Sequence, residues 1–289
     1  MPRVICAGHV NWDVTLHVDD LPPPDGEAQV RERRSAGGGS AANVACGIVG
    51  LGGETSLLGS VGGDTHGTEA RHELAAAGVD TTGVQVVPDR PTAVKYIAVA
   101  DDGEVMVFGC AGANEAFDTG ALSVEHIDGA DHLHLTGQPP ETARRLATLA
   151  GDLGLSVSVD PGRRVDDRDF EPVLSMADVV FLNDREARAV VCETDGVVVR
   201  KRGESGAEVF DGDERHTHPG YPADVVDTTG AGDAFAAGFV AARLDGAGYE
   251  EALVVANACG ALAAETRGAR ADLSWAAVEA VRARGPDQR

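Results

Sequence analysis

Apolar and polar positions along the chain fall into two kinds of block. Residues 3 to 8 form a short apolar run that stops at Gly8, the pattern of a buried strand feeding a loop. The stretch 41 to 51, AANVACGIVGL, predicts a helix. From residue 131 the alternation is regular. Strands over 131–135, 155–159, 178–182 and 196–201 are separated by helices over 140–151, 168–176 and 184–192, and another helix falls near 250–265. Such alternation predicts right-handed βαβ units and a mostly parallel sheet with helices on both faces.

Two segments, 12–34 and 84–109, break this pattern. They hold strand-like alternations (Val14, Leu16, Val18; Val94, Tyr96, Ala98; Val105, Val107), with Asp102-Gly103 as a hairpin tip and no helix between the last two. Together they predict a small discontinuous β-sheet that projects from the main sheet and covers a site at its strand carboxyl ends. The division is then a core of residues 1–11, 35–83 and 110–285, a β lid of 12–34 and 84–109, and a tail of 286–289.

Composition narrows the class. In 289 residues no apolar run approaches the roughly 18 that a membrane helix needs, and the start MPRVICAGHV lacks the pattern of a signal peptide, so a cytoplasmic protein with no membrane partner is expected. A net charge of −23 argues against nucleic acid as a partner. Lys95 and Lys201 are the only lysines, and the carboxylates are dispersed, a balance that suits a high-salt cytoplasm. The five cysteines, Cys6, Cys46, Cys110, Cys192 and Cys259, are far apart and read as buried small hydrophobes. His132-x-His134 and His216-x-His218 read as ordinary strand histidines, since no third ligand stands at metal spacing.

Two glycine-rich segments carry the chemistry. Asp227-Thr228-Thr229-Gly230-Ala231-Gly232-Asp233 runs into an apolar helix, and small residues there let backbone N–H groups converge on an anion at the positive helix end. Asp233 inside that cradle reads either as a base taking a proton from a hydroxyl nucleophile or as the helix cap. Gly37-Gly38-Gly39-Ser40-Ala41-Ala42-Asn43 also enters a helix, and suits close approach to a polyol. Neither segment fits the P-loop or the dinucleotide-binding pattern.

The pair of segments resembles the ribokinase-like (PfkB) carbohydrate kinases over essentially the whole chain. The N-terminal signature is matched by Gly38 to Asn43 with Gly59, Gly62, Asp64, Gly67 and Gly78-Val79, and the C-terminal one by Asp227 to Asp233. Between them, Gly8 to Asp13, Gly112-Ala113-Asn114, Asn183-Asp184-Arg185-Glu186 and Val199 to Gly203 match further motifs in order.

The resemblance implies a three-layer α/β/α core with a β lid and ATP-dependent phosphoryl transfer to a hydroxyl of a sugar. Asp233 would be the base, and the amides of Gly230, Ala231 and Gly232 the anion hole. Asn11, Asp13, Gly38, Gly39 and Asn43 would hold the substrate. Asn183 and Glu186 would order Mg2+ and its waters, and Lys201, Gly203 and Asn257 would face the nucleotide. Lys201 stands where the family often has threonine, and reads as a charge reaching the triphosphate or as a plain strand-end cation. Asp227 and Thr229, with backbone near Ala263 and Gly268, correspond to a monovalent-cation site for K+. Separately, a two-layer β lid leaves apolar faces exposed, and pairing with a second subunit's lid in a homodimer is expected to bury them.

A ribokinase- or fructokinase-like sugar kinase is the leading reading, with 2-keto-3-deoxygluconate kinase or nucleoside kinase as alternatives and phosphofructokinase behind them. A non-catalytic sugar- or nucleotide-binding protein is the alternative from another class. A phosphorylated substrate calls for a basic clamp, for which Arg31, Arg33 and Arg34 are candidates.

Overall fold

A computed structural model describes residues 1–122, 124–190 and 194–286; Cys192 and residues 287–289 of the expected tail lie outside them. The strands are β1 (Arg3–Ala7), β2 (Asn11–Val18), β3 (Val30–Gly38), β4 (Glu54–Gly62), β5 (Val84–Val87), β6 (Ala93–Ala100), β7 (Val105–Cys110), β8 (His132–Thr136), β9 (Ser156–Asp160), β10 (Val179–Asn183), β11 (Val197–Lys201), β12 (Ala207–Asp211) and β13 (Glu214–His218). The helices are α1 (Ser40–Gly50), α2 (Thr65–Ala76), α3 (Pro140–Asp152), α4 (Glu171–Leu174), α5 (Glu186–Ala189), α6 (Ala231–Leu244), α7 (Tyr249–Ala264) and α8 (Trp275–Arg282).

Among the described residues, nine strands form one sheet in the order β13-β12-β11-β10-β9-β8-β1-β4-β5, parallel except for the β11-β12-β13 edge. Residues Val4 to Ala7 of the central strand have no exposure, as a parallel strand covered on both faces requires. Their alternation divides the core. Val4 and Cys6 pack with α1, α6 and α7, while Ile5 and Ala7 pack with α3 and α4. The chain leaves β1 for β4 on one side and reaches β8 on the other, so a crevice opens at the carboxyl ends of β1 and β8.

A separate four-stranded sheet, β3-β2-β6-β7, is held together by the parallel pairing of β2 with β6. Its strands differ from the expected segments in two places. Val84–Val87 is the edge of the large sheet, parallel to β4, because α2 makes a βαβ crossover before it; an apolar pair reads alike in either sheet. The small sheet also gains residues 35–38, since backbone pairing continues to Gly38 opposite Asn11 although VRERRSAGG has no apolar alternation. Asp64 ties this sheet to the core. It caps α2 through Gly67 N at 2.9 Å and accepts from Thr92 N at 2.9 Å, one residue before β6.

The helices expected over 168–176 and 184–192 shrink to Glu171–Leu174 and Glu186–Ala189. Cys110 is exposed, against the expectation that the cysteines are buried; Cys6 and Cys259 are buried.

His132 and His134 lie inside the sheet. His132 Nδ1 and Nε2 each stand 2.7 Å from a serine hydroxyl, of Ser156 and Ser158, and His134 Nδ1 is 2.7 Å from Ser158 Oγ. Burial pushes both rings down to about 3. In the unfolded chain they would take up protons near pH 6.5, so the folded state holds its full advantage above that value and loses it as pH falls from about 6.5 toward 3. Two such groups give a slope of up to about 2.7 kcal/mol per pH unit. Urea unfolding from pH 7 to 4 is expected to show that extra slope, and exchanging both for glutamine to flatten it; parallel pH profiles would overturn the assignment.

Candidate active site

The substrate-side residues meet where the small sheet joins the core. Asn11 opens β2 opposite Gly38, and Asp13 follows two residues later on the same face. A Cβ on Gly38 would lie 2.2 Å from Asp13 Oδ2, so the carboxylate rests on bare backbone that no other residue provides. Asp13 Oδ1 is buried with no partner. Burial raises the Asp13 pKa and the charge of Asp233 adds to the rise, while Lys95 and Arg270 oppose it. Asn11 is aimed by Asn114, whose Nδ2 donates to Asn11 Oδ1 at 2.5 Å and whose Oδ1 accepts from Val10 N at 3.1 Å.

Asn43, in the first turn of α1, spans the gap to α6. Its Nδ2 donates to Asp233 Oδ2 at 2.8 Å, and its Oδ1 accepts from Arg270 Nε at 3.2 Å. Arg270 Nη2 also reaches Gly38 O at 3.4 Å, and Glu73 joins the cluster by accepting from Gly37 N at 2.8 Å. Since Arg270 can only donate, it fixes which end of the Asn43 amide faces Asp233. The residue capping α6 is Gly230, without a side-chain cap, and the Asp233 carboxylate is bonded to Asn43. The cap reading of Asp233 therefore has no hydrogen bond behind it. Burial raises the pKa of Asp233, Asn43 pulls it back, and the charge of Asp160 adds to the rise.

Gly230 has φ 78°, and a Cβ there would sit 2.0 Å from Ala269 O, so both conformation and space require glycine. Of the three amides expected to face an anion, Ala231 N closes a turn onto Thr228 O at 3.2 Å. Gly232 N belongs to the first turn of α6, where the helix itself supplies no acceptor. Asp227 is held twice, accepting from Thr229 N and from Gly268 N at 2.9 Å each.

The ends of β9, β10 and β11 bring Asp160, Asn183 and Lys201 beside this loop. Lys201 Nζ donates to Asp160 Oδ2, and a Cβ on Gly232 would stand 3.5 Å from that ammonium. Burial alone would lower the lysine pKa; the acids Asp160, Glu186 and Asp233 reverse this and hold it charged. Asn183 and Glu186 cap each other, Asn183 N donating to Glu186 Oε2 and Glu186 N to Asn183 Oδ1, both at 2.9 Å. Glu186 is buried, and burial first and Asp160 second raise its pKa. Gly203 is exposed just past β11, and Asn257 donates Nδ2 to its own helix at Leu253 O, 2.7 Å away.

The three arginines that are candidates for a basic clamp lie on β3. Arg31 pairs with Asp101 at 2.6 Å and Arg34 with Glu32 at 2.6 Å, and Arg31, Arg33 and Arg34 are all exposed. Sequence reasoning did not single out for the site Lys95, opposite Asp13, or Arg270, Asn114 and Asp160, which bond to candidate site residues. Lys95 had a signal, as one of only two lysines. Arg270, in an irregular loop, had none.

A mostly parallel sheet with a small second sheet over its carboxyl edge is the ribokinase fold, and it defines a class of small-molecule kinases. The sequence pattern of pfkB family carbohydrate kinases matches residues 1–276. The chain belongs to that family. An ATP-dependent ribose-1-phosphate kinase of Halopiger xanaduensis is 51% identical over 279 residues, covering 93% of this chain and 94% of its own. A nucleoside kinase of Methanothermobacter thermautotrophicus is 29% identical over 286 residues, covering 93% and 92%. The solved structure of Arabidopsis thaliana ribokinase with ribose and ATP superposes with a TM-score of 0.84 at 26% identity, covering 97% and 98%. The chain is thus a sugar kinase, and the non-catalytic alternative is set aside. No helix among the described residues is long and apolar enough to cross a membrane.

Proposed function

We propose that this protein is an ATP-dependent kinase that phosphorylates the primary hydroxyl of ribose 1-phosphate or a closely similar pentose 1-phosphate. The observation that carries this reading is the 51% identity to a kinase of that name across 93% of the chain. Asp13 and Asn11 hold ring hydroxyls and Asn43 fixes the carboxylate of Asp233, which takes the proton of the attacking hydroxyl. The new bond joins that oxygen to the γ-phosphorus as the bond to the β–γ bridging oxygen breaks and ADP leaves. Charge on the transferring group is met by Gly230 and Gly232 amides and by Lys201.

Asp160, Asn183 and Glu186 would hold Mg2+ through water, since oxygen donors suit a hard cation, and the ion would supply neutralisation of phosphate charge. Both Asp227 oxygens keep a second lone pair, which fits K+ beside the loop. That site predicts a higher kcat in KCl than in equimolar NaCl or tetramethylammonium chloride, with circular dichroism showing equal folding. Equal turnover in all three salts would leave Asp227 a purely structural clamp.

A homodimer through the small sheet is part of the proposal, supported by the exposed Val105, Val107 and Phe108 of β7; sedimentation of a monomer alone in high salt would remove it. A cytoplasmic, high-salt setting agrees with the net charge of −23.

The test is an ADP-release assay in high KCl with ribose 1-phosphate, ribose, ribose 5-phosphate, cytidine and fructose. At least a hundredfold higher kcat/KM for ribose 1-phosphate is expected. A preference for free ribose or a nucleoside would overturn the reading.

A further inference from the structure

A sugar that already carries a phosphate brings an anion to a site crowded with carboxylates, and something must offset the repulsion. The cations nearest the substrate residues are mostly committed. Arg270 is bonded to Asn43 and Gly38, and Arg168 and Arg164 both reach Glu115 at 2.5 and 2.8 Å. Lys95 differs. In the parallel pairing of β2 with β6 it stands directly opposite Asp13, so the two side chains project from one face of the small sheet. It is exposed, and among the described residues it has no carboxylate within ion-pair distance.

We infer that Lys95 is the residue that receives the phosphate the substrate already bears, and so sets the preference for a phosphorylated sugar over a free one. This rests on the reading of the protein as a sugar-phosphate kinase.

The register places Lys95 beside Asp13, and its charge reaches groups on three elements. Asp13 on β2, Asp233 at the start of α6 and His9 after β1 all feel its charge. Lys95 therefore stands on the face of the small sheet that carries the carboxylate proposed to hold the sugar. After β8, Gln138 is 2% exposed and both atoms of its amide lack partners, as does His9 Nε2. Gly137, next to Gln138 in the chain, packs on His9: a Cβ there would stand 3.0 Å from His9 Nδ1. Burial drives His9 down to about 4, leaving it neutral near pH 7 and able to donate from one nitrogen. An exposed ammonium with no carboxylate partner suits a phosphate monoester, which a point charge can meet from any side, and the unpartnered His9 and Gln138 are neutral donors.

The experiment compares ribose 1-phosphate with ribose in wild type, Lys95→Met and Lys95→Arg, reading the ratio of the two kcat/KM values. A ratio does not depend on how much of a variant is folded. Lys95→Met is expected to lower the ratio at least thirtyfold, through KM for ribose 1-phosphate, and Lys95→Arg to recover most of it. A ratio within threefold of wild type in Lys95→Met, with wild type preferring the phosphate, overturns the inference alone. A wild type that does not prefer ribose 1-phosphate overturns both the inference and the reading it rests on.

Discussion

Asp233→Asn is expected to lower kcat by at least a thousandfold while KM for the sugar stays within about tenfold. The amide keeps the shape of the carboxylate but cannot take the hydroxyl proton, and a base acts chiefly in the transition state. The contact with Asn43 makes the isostere informative, because the Asn43 Nδ2 donation at 2.8 Å can be kept by the carbonyl of the new amide. The pH profile provides a second readout. Burial raises the Asp233 pKa, so the acid limb of kcat/KM in wild type lies above the ordinary carboxylate range, with activity lost as pH falls through it. The variant should lack that limb. Turnover within tenfold of wild type would show that Asp233 is not the base.

Lys201→Met is expected to cut kcat a hundredfold or more, the loss typical when one donor to a developing charge is removed. It also strands Asp160, which is 9% exposed, and removing one partner of a buried pair costs about 3–5 kcal/mol. Combining it with Asp160→Asn relieves the stranded charge, and Asp160→Asn alone shows what loss of that oxygen donor costs in turnover. The double variant should regain most of the thermal stability and none of the turnover. If kcat returns together with stability, Lys201 serves only the fold. Arginine is not expected to substitute, because the ammonium is only 3.5 Å from where a Gly232 Cβ would stand, too close for a planar fork.

The sheet was legible because βαβ alternation is a local pattern, and β8 to β11 fall within one or two residues of their predicted places. Sheet membership was not. Val84 to Val87 reads like a lid strand, and only α2 before it decides that it pairs with β4. The two glycine segments were visible for a physical reason, since Gly38 and Gly230 sit where any Cβ would strike Asp13 or Ala269. The partners that aim the site were not visible. Arg270 lies 227 residues from Asn43, and neither helical nor strand periodicity marks it. Asp160 ends a strand as Asp211 also does, so a strand-end acid does not by itself mark the site.

Residues 268 to 270 touch three places at once: Gly268 N holds Asp227, Ala269 O lies against Gly230, and Arg270 holds Asn43 and Gly38. One short loop is thus a common datum for the sugar half and the phosphate half of the crevice. Selectivity and speed are consequently not equally modular. Exchanging β6 with that of a relative can retune which sugar is accepted, because β6 meets the crevice from one side. Grafting the 268–270 loop would disturb alignment on both sides, so redesign should keep it as the fixed point from which everything else is measured.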